Sequence, residues 1–427
     1  MPPFLLTAHN NHWKFKQVSE LTSEKRSNVN VIFLTLCAMG GFAILSSTMS
    51  KSPVLNPFIA SLGTPTEWSG IIAAASTIPG ILVSLPAASL SDVFGRRKFL
   101  LFAGFVFASA PFLYLLVTQW WQLFFIRFYH GFATAVFVPV AEASLAEFFP
   151  NKRGERISLF TSATYVGRLI APVLGGYILF ATNKDFHELY LAVAVAGVTA
   201  LILALPFIAE RRQSTPASQE ETGQIVGHIF GGWRAIAMNR GALVVSLVQA
   251  SQYYVYGAFE FFLTGYLTMF LHYNLLIPGL VATCIIGTAI FARPYMGRIS
   301  DKSGRRIPIA LGCVISAVPM LMIPYVTDFA VLILLATIYG FGFATVTGST
   351  SPLISELVPG ELVGTSMGFL AMTMDLGQTV GPIISGFILA SSFQYSGVFL
   401  SLALVLLLSC GMFIFSNVGK PLQAKAD

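Results

Sequence analysis

Twelve mostly apolar runs follow one another along this chain, at 29–52, 68–90, 99–118, 121–146, 157–181, 187–208, 241–267, 276–297, 307–326, 328–354, 364–390 and 396–417. About 20 such residues carry a helix across the hydrocarbon core, and a helix satisfies its backbone polar groups internally. The runs are too long for barrel strands and do not alternate. The expected fold is an all-α membrane protein with twelve transmembrane helices. Apolar residues make up 55% of the chain and charged residues 10%, against about 25% charged in soluble domains. So little polar surface excludes a cytosolic enzyme, a nucleic-acid binder and a disordered scaffold. Residues 1–28 are polar and mixed in charge, so no cleavable signal peptide is expected. Cys37, Cys284, Cys313 and Cys410 each lie in an apolar run without pairing or metal-ligand spacing, and no metal or cofactor is expected.

The basic residues orient the spans. Lys14, Lys16, Lys25, Arg26, Arg96, Arg97, Lys98, Lys152, Arg153, Arg156, Arg211, Arg212, Arg234, Arg240, Arg298, Lys302, Arg305, Arg306, Lys420 and Lys425 fall on the side of the N-terminus, and only Lys184 on the other. By the positive-inside rule both termini are expected in the cytoplasm of an inner or plasma membrane. The net charge of +6 is thereby explained by topology, with no nucleic-acid partner. Trp68, Trp120 and Trp121 fall at the opposite interface, where indoles prefer to sit.

The chain also repeats itself. Leu90-Ser-Asp-Val-Phe-Gly-Arg-Arg97 returns 209 residues later as Ile299-Ser-Asp-Lys-Ser-Gly-Arg-Arg306. The same offset relates Gly70-Ile-Ile-Ala to Gly279-Leu-Val-Ala, Gly131 to Gly340, Glu147 to Glu356 and Pro150 to Pro359. With one residue more it relates Gly167, Pro172 and Gly176 to Gly377, Pro382 and Gly386. Two pseudo-symmetric six-helix bundles, 29–208 and 241–417, are expected in one orientation, with a cytoplasmic linker at 209–240 and cytoplasmic tails at 1–28 and 418–427. Within the linker, Trp233 to Arg240 reads as an interfacial turn. Parallel repeats of this kind are one plan of secondary transporters.

These residues resemble the major facilitator superfamily. Ala88-Ser-Leu-Ser-Asp92-Val-Phe-Gly95-Arg96-Arg97 is similar to its loop signature G-x-L-[AS]-D-R-x-G-R-[RK], with Ala88 for Gly and Val93 for Arg. Asp301, Gly304, Arg305 and Arg306 form the second copy. Arg127-Phe-Tyr-His130-Gly131 resembles the fourth-span motif R-x-x-Q-G. Gly167 to Gly176 resembles the fifth-span antiporter motif G-x-x-x-G-P-x-x-G-G, with Ala171 for Gly. The resemblance implies the major facilitator fold and alternating access. It also implies that the loop clusters reach the other half and latch the outward-open state, with Glu147 a further acceptor; a purely topogenic basic loop is the alternative. Asp92 is placed to pair with Arg96 or Arg97. The glycines and prolines of spans 5 and 11 allow close helix contact and a bend.

Charges inside a bilayer are costly and normally face a cavity or a partner. Arg168 and Asp375 each lie eleven residues into their spans, roughly 16 Å deep, and are expected to face one another across the pathway. Arg168 is a substrate or coupling candidate, or else a packing ion pair; Asp375 is the best proton-site candidate. Lys51 and Glu260 correspond under the offset and read as an outer gate pair, unless Lys51 snorkels to the surface. The resemblance implies that Arg127 influences proton movement. His130, one turn deeper, is available to titrate or to bond a neighbouring helix.

No phosphate-binding loop, nucleophile–base constellation or channel filter occurs. The expected function is therefore secondary active transport of a small molecule, coupled to protons or another ion, by a protein working as a monomer and not as an enzyme. Length and motifs most resemble the twelve-helix drug:proton antiporter branch, which implies efflux. The rival is a carrier of an organic anion or anionic metal chelate: Lys51, Arg127 and Arg168 lie near the expected pathway, and the first span has no acidic residue. A non-transporting sensor or scaffold is the alternative of another class.

Overall fold

The computed structural model describes residues 31–205 and 233–419. The tails expected at 1–28 and 418–427 and most of the expected linker lie outside the described residues, residues 418–419 and 233–240 excepted.

The helices follow the apolar runs. In the first half they are α1 (Val31–Met49), α2 in two segments (Thr66–Ala74 and Ile78–Phe94), α3 (Arg96–Leu115), α4 (Trp120–Phe148), α5 (Arg153–Ala181) and α6 (Phe186–Ala204). The second half supplies α7 (Arg240–Gly265), α8 (Leu276–Ser303), α9 (Arg306–Met322), α10 (Phe329–Glu356), α11 (Val363–Ala390) and α12 (Gln394–Phe415). Polar side chains cap the exposed starts: Asp185 accepts from the His187 and Glu188 amides, Asp328 from Val331, and Asn239 from Ala242. Gly95 (φ +93°) and Gly304 (φ +82°) make the equivalent turns into α3 and α9, a backbone conformation that disfavours any side chain.

Three elements differ from expectation. Span 1 ends at Met49, and the chain turns before a short helix, Leu55–Ser61, so Lys51 sits in a turn at the helix end. Span 2 is interrupted at residues 75–77. Pro79 stands in the first turn of the inner segment, where it supplies no amide to the outer one. Residues 233–238 are helical, and Ile236 is fully buried in the core of the second half, so this stretch packs as part of that bundle.

Among the described residues ten helices are long and apolar enough to cross a membrane. The two long helices outside that set are α7 and α11. Their polar residues explain it: α7 carries Gln249, Gln252 and Glu260, and α11 carries Thr373, Asp375, Gln378 and Thr379. These helices face the seam between the halves, where lipid does not select for apolar side chains.

The halves meet through two equivalent contacts, α2 with α11 and α8 with α5. Small residues permit both. A Cβ on Gly279 of α8 would fall 2.5 Å from the Pro172 carbonyl oxygen of α5, and one on Gly176 would fall 2.7 Å from that of Leu275. In the other contact a Cβ on Gly70 would meet the Pro382 carbonyl, and Gly386 packs on Gly70. Gly167 and Gly377 instead pack inside their own halves, on Gly41 of α1 and Ala250 of α7. One apolar core, including Met49, Tyr114, Phe259 and Tyr266, spans both halves at the end bearing Trp68 and Trp120. Toward the basic end each half has its own core, one around Phe107 and Phe137 and the other around Val245 and Phe413. The seam is shut at the tryptophan end.

Candidate functional site

A cavity of about 220 Å³ lies between the halves at mid-depth. One helical face on each side builds it: Ile44, Ser47 and Lys51 from α1 and its turn, and Tyr253, Tyr256 and Glu260 from α7. These triplets correspond one to one under the offset of 209, and their spacing places each on a single face. The first half adds the hydroxyls of Thr48, Ser50, Ser76, Thr77, Ser84 and Thr134; the second adds Met374, Asp375 and Gln378. Aliphatic hydroxyls and cations therefore come from one half, and tyrosines and carboxylates from the other.

The interruption of α2 opens into this cavity, and Arg127 holds it. Arg127 is 2% exposed; its Nε donates to the Ile72 carbonyl (2.8 Å), and Nη2 donates to the Ala73 carbonyl (3.0 Å) and Ser76 Oγ (2.7 Å). The Ile72 carbonyl also accepts from the Ala75 amide (3.2 Å), while the Ala73 carbonyl loses its own helical donor because the Thr77 amide turns to Ala74, and Arg127 supplies one in its place. The equivalent of Arg127 in the second half is Ala336, and α8 runs unbroken there. The cation and the break thus occur together. His130, 4% exposed, lines the same cavity; its ring lies edge-on to Phe107 and Tyr114, and among the described residues its Nε2 has no hydrogen-bond partner.

Lys51 Nζ lies 4.0 Å from Glu260 Oε2, with the side chains 30% and 13% exposed. The pair crosses the seam on the tryptophan side of the cavity. Beside it Thr77 Oγ1 and Thr379 Oγ1 meet at 2.6 Å, a second polar contact between halves. Arg168 and Asp375, expected to face one another, line the one cavity, and among the described residues they do not pair with each other. Asp375 lies against the first turn of the inner α2 segment: a Cβ on Gly80 would fall 2.8 Å from its Cγ. A side chain at position 80 would push the carboxylate aside.

At the basic end Arg96 Nε donates to Glu147 Oε2 at 2.9 Å. Arg305 pairs with Asp301 and reaches Glu356 Oε1 at 2.8 Å, while Arg306 donates to the Ile414 carbonyl at 2.6 Å. These bonds join helices of the same half. The side chain of Asp92 lies outside the described residues.

Sequence reasoning passed over Arg293, whose position in span 8 reads as close to the cytoplasmic interface. It sits deeper, where Nη1 donates to Tyr165 of the other half (3.1 Å) and Nη2 to Thr347 of α10 (3.0 Å). The repeat carries the missing signal: Arg293 corresponds to cavity-lining Ser84, and Tyr165 to Asp375. Each contact between halves therefore carries two polar residues at one depth, and among the described residues only Arg293 and Tyr165 are bonded to one another.

The family model described as Major Facilitator Superfamily matches residues 31–291 and 245–426. The chain belongs to this superfamily. It is therefore an integral membrane transporter that binds small molecules within the bilayer, and not an enzyme. The chain is 24% identical to the "Multi-drug resistance efflux pump PmrA homolog" of Lactococcus lactis, over 91% of this chain and 95% of that protein. It is 26% identical to the "Probable galactarate/D-glucarate transporter GarP" of Escherichia coli, over 79% and 84%. Its fold matches the inward-facing, unoccupied structure of a bacterial homologue of the lysosomal transporter Spinster with a TM-score of 0.76, at 13% identity, over 91% and 96% of the two chains.

Proposed function

We propose that this carrier moves a compact, polar organic anion across the membrane, with protons as the coupling ion. The carrying observation is the cavity wall: Lys51, Arg127 and Arg168 approach it from a hydroxyl-rich face, against Glu260 and Asp375 opposite. An anion is attracted to that face, and hydroxyls satisfy the polar groups of a hydroxylated acid as it leaves water. The relative named for galactarate and D-glucarate supports this class.

In this reading the halves rock about the cavity. With both termini in the cytoplasm, the shut tryptophan end is the outer gate, and Lys51–Glu260 is the ion pair that breaks as it opens. Arg127 maintains the α2 break, Arg168 receives the anion, and Asp375 carries the proton. The loop clusters around Arg96 and Arg305 latch the opposite state.

A second reading, proton-coupled drug efflux, draws on the aromatic wall. Tyr253 and Tyr256 pack on Phe343 with ring centroids 5.2 and 5.1 Å away, a surface suited to a flat lipophilic compound. The relative named as a multidrug pump supports it. Purified carrier in liposomes with an imposed pH gradient separates the two. We expect flux of radiolabelled hydroxylated mono- and dicarboxylates and none of ethidium; ethidium flux without carboxylate flux overturns the anion assignment.

A further inference from the structure

Resting on the anion reading above, we infer that Asp375 makes proton and anion move in the same direction, so that the carrier is a cotransporter and not an exchanger. The inference starts from what Asp375 lacks. Its equivalent in the other contact between halves, Tyr165, is engaged by Arg293. Asp375 corresponds in depth but faces Gly80, and among the described residues its carboxylate has no hydrogen bond or ion pair.

The charged and titratable groups sharing the cavity with it come from four elements. Lys51 approaches from the α1 turn, already paired with Glu260 of α7. From α4 come Arg127, spent on the α2 break, and His130, whose Nε2 is unpartnered among the described residues. Arg168 approaches from α5, with no hydrogen bond or ion pair among the described residues, and Tyr253 and Tyr256 face it from α7. α2 contributes only glycine and hydroxyls. One cation and one carboxylate are thus left without partners in a single small chamber.

The sign of coupling follows. An anion entering the chamber is repelled by ionised Asp375 and attracted by Arg168. Protonating Asp375 removes the repulsion. At a separation of about 8 Å and an effective dielectric constant near 20, that change is worth roughly 30-fold in affinity. Reciprocity requires the bound anion to favour the proton by the same factor. The carboxylate takes up one proton as the anion binds and releases it as the anion leaves; no bond of the substrate changes. A cationic substrate reverses the sign, because it and the proton compete for Asp375.

The test is equilibrium binding of D-gluconate, D-glucarate and citrate to the purified full-length carrier between about pH 6.5 and 8, where D-gluconate and D-glucarate keep a constant charge. The expected result is affinity rising as pH falls, by at most about tenfold per pH unit, the limit for one linked proton. D375N should bind tightly at every pH with the slope abolished, while H130Q retains the slope. Affinity independent of pH, or rising with pH, overturns the inference while leaving the anion reading intact. A slope that persists in D375N and disappears in H130Q moves the proton to His130 and also overturns it. Binding of none of the three acids overturns the anion reading itself, and the coupling inference falls with it.

Discussion

Replacing Gly279 by alanine tests the geometry between the two halves. The added Cβ would stand 2.5 Å from the Pro172 carbonyl oxygen, with the Pro172 carbonyl carbon at 3.2 Å and Val173 Cα at 3.3 Å. Ordinary C···O contacts begin near about 3.3 Å, so α8 and α5 must separate by roughly 0.8 Å. Neither side of the contact is a flexible side chain that can swing away. Overpacking of this kind costs about 1–3 kcal/mol. Because the contact joins opposite halves at the shut end, the cost falls on that state alone and should shift the population toward the alternative by about 5- to 150-fold. Gly340 supplies a matched control: its Cβ would lie 2.6 Å from the Ile285 carbonyl oxygen, but both residues belong to the second half. G340A should lower the thermal midpoint without changing the balance of states. The assay is electron–electron distance measurement between spin labels at positions 183 and 272, on opposite halves at the tryptophan end, in a background lacking the native cysteines. G279A should populate a longer distance. If G279A merely lowers the midpoint as G340A does, with an unchanged distance distribution, the proposed state-specific role of this contact is wrong.

Two further perturbations follow from the site. K51E and E260K should each abolish most transport by placing like charges about 4 Å apart, and the double exchange should restore at least tenfold of what either loses, read as liposome uptake; no recovery would separate the two residues functionally. R127K keeps the charge but cannot serve two carbonyls and a hydroxyl in the geometry of a guanidinium, so stability should fall by about 2 kcal/mol or more, measured by thermal unfolding in detergent; an unchanged midpoint would remove Arg127 as the support of the α2 break.

Much of the architecture was legible before any coordinates. Runs of apolar residues mark the helices because the bilayer demands about 20 of them whatever their neighbours. The repeat pairs Gly70 with Gly279 and Gly176 with Gly386, and these four glycines form the contacts between halves. The α2 break was less legible, since Ser76, Thr77 and Pro79 are tolerated within membrane helices when neighbours resupply the lost bonds; Arg127, 54 and 55 residues away from its carbonyl acceptors, is that neighbour. Arg293 reads as close to the interface from the apolar run 276–297 and lies deeper because α8 continues to Ser303.

Span number, duplication and the turns at Gly95 and Gly304 are local properties, determined by the order of residues and by the bilayer as solvent. The fates of the buried charges are not. Arg127 and Arg168 have the same chemistry and both line the cavity, yet one is bonded to the carbonyls of a broken helix and the other has no hydrogen bond or ion pair among the described residues. Successive residues turn by about 100° around a helix axis, and in lipid the apolar stripe no longer marks the inward face. Only the packing of twelve helices decides which cation meets which carboxylate.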